Sequence, residues 1–142
     1  VKVAAVLLTL FALVGAAFWL FGASAPTPAL IAGLPDDGMR GAPCPAGTIA
    51  EEKARLKQGA PPSSALGRKL RDNFPLGSDA GTLEALLTAQ GFTLFSPCPN
   101  DDGVYGARWL SRRWGDPDGY VFWRADDAGK LIFLDGQVSR TP

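Results

Sequence analysis

The longest uninterrupted apolar run comes first: residues 3–22, VAAVLLTLFALVGAAFWLFG, hold no charged side chain. About twenty helical residues at about 1.5 Å each match a hydrocarbon core of about 30 Å, so the run predicts a membrane-spanning helix within residues 1–23. The alternative is a cleaved secretory signal, because Ala23, Ser24 and Ala25 fit a small-residue cleavage pattern. The length of the run and Pro26 directly after it favour an uncleaved anchor. Lys2 precedes the run, and the first basic residue after it is Arg40. The positive-inside rule then predicts a cytoplasmic amino end and a periplasmic remainder. The expected location is the inner membrane, single-pass, with secretion after cleavage near Ala25 as the alternative.

Residues 24–43, SAPTPALIAGLPDDGMRGAP, mix proline, glycine and small residues without periodicity, the composition of a linker. Its segment ALIAGL is apolar enough to touch either a bilayer or the domain. From Cys44 onward the spacing changes to that of helices. TIAEEKARLKQG has Thr48 and Glu51 as a capping box and Gly59 as a stop. PPSSALGRKLRDNF follows with serine caps and a stripe of Leu66, Leu70 and Phe74. GSDAGTLEALLTAQGF offers Ser78 or Asp79 as a cap, Ala80, Leu83, Leu86 and Leu87 as one face, and Gly91 as the stop.

Beyond Gly91 the pattern turns to strands. FTLF, VYGARWLSRRW, YVFWRA and LIFLDGQVS are aromatic and β-branched, and SPCPNDDG, GDPDG and DDAGK separate them as turns. Helices followed by a run of strands predict an α+β fold. The expectation is an N-terminal transmembrane helix, then a two-layer domain over residues 44–142: about three short helices followed by an antiparallel three- to four-stranded meander. In LIFL both faces are apolar, so either helices and linker cover both sides of the sheet or one side meets a partner.

Charge narrows the function classes. The formal net charge is zero and there is no histidine. No global field draws nucleic acid, and the commonest general base and metal ligand is missing. An enzyme is not expected, nor a cofactor. Two cysteines, Cys44 and Cys98, each stand between prolines. Two thiols without histidine do not make a zinc set, and they are too far apart for a thioredoxin-like pair. In an exported domain they predict a Cys44–Cys98 disulfide, which by loop closure alone would contribute about 4 kcal/mol. The alternative is a pair of buried, reduced thiols acting as small hydrophobes.

Asp101, Asp102, Asp116 and Asp118 suggest a calcium loop, but the EF-hand spacing fails: counting from Asp116 puts Val121 where glycine is required. Turn chemistry accounts for them. A stronger concentration is Arg108, Trp109, Arg112, Arg113, Trp114, Trp123 and Arg124. Arginine and tryptophan dominate interface hot spots, so these seven are the candidate partner-binding residues. The ordinary reading is aromatics in a sheet core with arginines on its wet face.

NFPLGSDAGTLEALLTAQGF, then a tryptophan-bearing strand and YVFWRADDAGKLIFLDG, resembles the small envelope modules of the BamE (SmpA/OmlA) type over residues 74–136. That resemblance implies a capped helix followed by a three-stranded meander, and a role in outer-membrane protein assembly or in binding envelope partners. The chain departs from those modules in having no lipid-attachment cysteine after its apolar run. Together these features predict a membrane-anchored periplasmic protein-binding module, an accessory or assembly factor whose partner is another envelope or membrane protein, with the bilayer contacted through residues 3–22. The alternative is an inhibitor or immunity-like protein whose sheet face blocks an envelope enzyme.

Overall fold

The computed structural model describes residues 25–38, 44, 64–99 and 101–140. They form two helices, α1 (Ala65–Asn73) and α2 (Ala80–Ala89), and four strands, β1 (Thr93–Phe95), β2 (Tyr105–Trp109), β3 (Pro117–Ala125) and β4 (Leu131–Arg140). The strands pair in sequence order as one antiparallel sheet. The fold is α+β, with helices on one face of a meander.

The expectation of a membrane-spanning helix is corrected. Among the described residues no helix is long and apolar enough to cross a bilayer, and residues 3–22 lie outside them. The inner-membrane placement, which rested on that span, falls with it. The expected helix at residues 48–59 also lies outside the described residues, where two helices stand in place of three.

Each helix is bounded by the chemistry its sequence carries. Ser64 caps α1, its hydroxyl accepting the Gly67 amide at 2.8 Å. The same hydroxyl donates to the Gly136 carbonyl on β4, so one buried side chain ends the helix and ties it to the sheet. Asp79 caps α2 by accepting the Thr82 amide at 2.9 Å. At the far end Gly91 takes φ +83°, and the amides of Phe92 and Gly91 return to the carbonyls of Leu87 and Thr88 at 3.0 Å each. That is a Schellman motif, with buried Phe92 and Leu87 supplying its apolar contact.

The core lies between helices and sheet. Leu66 and Leu70 from α1, Leu83 and Leu87 from α2, and Val121, Trp123, Leu134 and Val138 from the strands form one cluster. α1 can lie this close to β4 because position 136 is glycine: a Cβ there would sit 2.8 Å from Leu66 Cγ.

Residues 28–34 complete the helical layer. The Pro28 carbonyl accepts the amides of Ile31 and Ala32 at 3.1 and 3.0 Å, making a single turn. Leu30 donates its amide to Gln90 Oε1 on α2's cap, while Lys69 of α1 reaches the Ala29 and Leu30 carbonyls. Leu30 and Ile31 are buried in the core, with Ile31 lying over Gly119, where a Cβ would be 2.9 Å from its Cγ2. Asp37 then meets Val138 on β4 through two hydrogen bonds, at 2.8 and 3.2 Å.

Side chains on both faces of the β3–β4 pair are removed from solvent. Phe122 and Phe133, on the face away from the helices, are each 4% exposed and pack with Phe95 and Tyr120. This is why LIFL is apolar on both sides.

Candidate functional site

The seven arginine and tryptophan residues are divided by strand alternation and by one loop. Trp123 on β3 is 1% exposed, and Trp109 on β2 is buried beside α2's terminal glycine. Both point into the helix-facing core, which corrects their assignment to a binding face. Arg124 alternates to the opposite side and is buried as well, its guanidinium 2.7 Å from the Asp101 carboxylate. That correction has an electrostatic reason: buried charge persists when it is paired. Arg108 lies on the same side as Arg124, 5.5 Å from the centre of the Phe95 ring, and stays exposed.

Arg112, Arg113 and Trp114 are not in a strand. β2 ends at Trp109 and β3 begins at Pro117, so residues 110–116 form the connection between them. Acid side chains organise this loop. Asp118 Oδ1 accepts the Ser111 amide at 2.7 Å, and the Ser111 hydroxyl accepts the Arg113 amide at 3.0 Å. The Arg113 carbonyl accepts the Asp116 amide at 3.3 Å, and Arg140 reaches the Gly115 carbonyl at 3.4 Å. Asp116 and Asp118 therefore serve as turn formers. Among the described residues no group of three or more acidic or thiol side chains could hold a metal ion.

The result is a fixed, outward-facing loop. Trp114 is 86% exposed and Leu110 49% exposed, with Arg112 and Arg113 exposed between them. Beside the loop a hollow of about 430 Å³ is lined by Thr93, Arg108, Leu110, Ser111, Arg112 and Asp116. Two guanidiniums and an apolar side chain thus border one depression at the end of the sheet. Sequence reading missed Leu110 and the Thr93 wall. The signal for Leu110 was present in the serine and aspartate positions around it, which favour a loop over a strand.

The long edge of the sheet offers no comparable site. β4 is an outer strand, but its free groups are taken by local partners. Arg71 Nε donates to the Leu134 carbonyl, Ser64 to that of Gly136, and Asp37 bonds both the amide and carbonyl of Val138. A strand edge occupied in this way resists pairing with another chain. On the far face, burial pushes the Tyr120 phenol above its ordinary pKa, keeping it neutral beside the phenylalanines.

Cys44 and Cys98 form a disulfide, with Cα atoms 5.3 Å apart. Cys98 lies in the connection between β1 and β2, so the bond ties Cys44, which falls between the core segment 28–37 and α1, to that connection. Such a bond points to an oxidising compartment. No protein-family model, curated protein or solved structure matches the chain.

Proposed function

We propose that the domain is a protein-binding module, an accessory factor without chemistry of its own, which meets its partner through the β2–β3 loop. The observation that carries this reading is Trp114, 86% exposed on a hydrogen-bonded loop and directly after Arg112 and Arg113. Holding a large aromatic ring in water is unfavourable, and a partner surface that buries it gains apolar area without first having to order the loop. Arg112 and Arg113 add planar donors suited to carboxylates on that surface. The sheet faces are a poorer choice, since Phe122, Phe133 and Trp123 are already buried. The likeness of residues 74–136 to BamE-type modules agrees with a binding role, although the reading does not depend on it.

The test is co-purification of a partner with the full chain and with Trp114→Ala and Arg112→Ala. Each substitution is expected to weaken capture by about 2 kcal/mol or more, the scale of an interface hot spot, while the thermal midpoint stays at the wild-type value. Undiminished capture by both variants refutes the loop as the binding site.

A further inference from the structure

The opposite end of β2 carries a second surface, of the other sign. Leu94 and Tyr105 lie on the helix-facing side of the sheet, since their register partners Ala107 and Trp123 are core residues. Yet they remain 46% and 47% exposed, because among the described residues neither α1 nor α2 closes over the β1–β2 corner. Two adjoining hollows open there, of about 290 and 370 Å³, sharing Glu84, Tyr105 and Trp123. Their floor is aromatic: the Tyr105 ring stacks on Trp123 with centroids 5.9 Å apart and planes 20° from parallel.

The rim is acidic. Glu84 borders both hollows, Asp102 the first and Asp127 the second. Asp79 and Asp126 also stand here, but they are engaged in capping α2 and in closing the β3–β4 turn. Lys130 is drawn toward Asp79 at 3.8 Å. Among the described residues, Glu84, Asp102 and Asp127 have no ion-pair partner of their own.

We infer that this groove binds an extended peptide segment of a partner protein bearing lysine or arginine between apolar residues. Tyr105 offers a π face to the cation, a favourable contact that strengthens as water is excluded. Glu84 and Asp127 supply the opposing charge, and the exposed Leu94 receives a neighbouring apolar side chain. Two hollows in series suit a segment better than a small compact cation. Carboxylates on the rim repel an acidic peptide or an anionic lipid surface. The inference stands apart from the Trp114 loop, at the other end of the strand.

The test is calorimetric titration of the full chain with acetyl-Lys-Leu-Arg-Leu-Lys-amide. Saturable binding that weakens with added salt is expected, about tenfold weaker in Tyr105→Ala and in the double variant Glu84→Gln/Asp127→Asn, and retained in Tyr105→Phe. The matching peptide with glutamate at the basic positions is expected not to bind. Should Tyr105→Ala fail to fold, the surface double variant decides the matter alone. The inference is overturned by the absence of saturable binding, by equal binding of the acidic peptide, by full affinity in the double variant, or by tetramethylammonium binding as tightly as the peptide.

Discussion

Arg124 on β3 and Asp101 in the β1–β2 connection face each other at 2.7 Å, both out of solvent, and Asp101 also accepts the Gly103 amide at 2.9 Å. The pair fastens to the sheet the same connection that carries Cys98. Removing one partner leaves a buried charge uncompensated, at a cost of about 3–5 kcal/mol. Asp101→Ala is therefore expected to lower the urea-unfolding free energy by that amount, and Asp101→Ala/Arg124→Met by less than the single change. A double variant less stable than Asp101→Ala would show that the arginine is not the source of the loss.

The disulfide is the second fastening of that connection. It joins residues 54 apart in sequence, and restricting an unfolded loop of that length contributes on the order of 4 kcal/mol by chain entropy. Cys44→Ser/Cys98→Ser is expected to fold with a urea midpoint lowered accordingly, and added reductant to move the wild-type midpoint to the same place. A reductant-insensitive midpoint would contradict a structural disulfide.

Close approach of α1 to the sheet depends on the missing side chain at position 136. A Cβ there meets Leu66 at 2.8 Å and the Tyr120 carbonyl at 3.0 Å, and overpacking of this kind costs about 1–3 kcal/mol. Gly136→Ala is expected to destabilise within that range. Combined with Leu66→Val it is expected to destabilise by less than the sum of the two singles, as residues in contact do. Strict additivity would separate the two positions.

Acid stability carries the signature of the α2 cap. The Thr82 amide, then the Thr82 hydroxyl, bond the Asp79 carboxylate and hold its pKa below the usual range. A carboxyl with a depressed folded pKa stabilises the fold above its unfolded pKa and loses that contribution as pH falls through the folded value. Asp79→Asn keeps a capping oxygen without titrating. The stability of this variant relative to wild type is expected to rise as pH drops below about 4. A difference constant from neutral to acid pH would remove Asp79 from the linkage.

Much of this architecture is legible in the residues themselves. The stripe of Leu66 and Leu70, the cap at Ser78 or Asp79 and the stop at Gly91 predicted α1 and α2 closely, with Asp79 taking the cap, because local capping chemistry decides helix ends. The hairpin around Asp127 to Lys130 followed from its turn residues, with Asp126 closing it. The β2–β3 loop was less legible: VYGARWLSRRW is rich in aromatic and branched residues as a strand is, and what bends its second half is the reach of Asp118 back to Ser111. For the same reason Trp109 and Trp114 read as equivalent, although one is in the core and the other in water. The burial of Arg124 was not legible, since its partner lies 23 residues away across a connection. The apolar run at residues 3–22 suggested a membrane helix by length and composition alone, and no described helix has that character.

The most direct measurement places a photo-crosslinking phenylalanine at position 114 of the full chain, with position 72 on exposed α1 as the control, in cells that normally make the protein. A protein adduct is expected from position 114, absent from position 72 and abolished when Arg112→Ala and Arg113→Ala are added. No adduct beyond the control, or an adduct that survives both substitutions, would contradict a partner site on the β2–β3 loop.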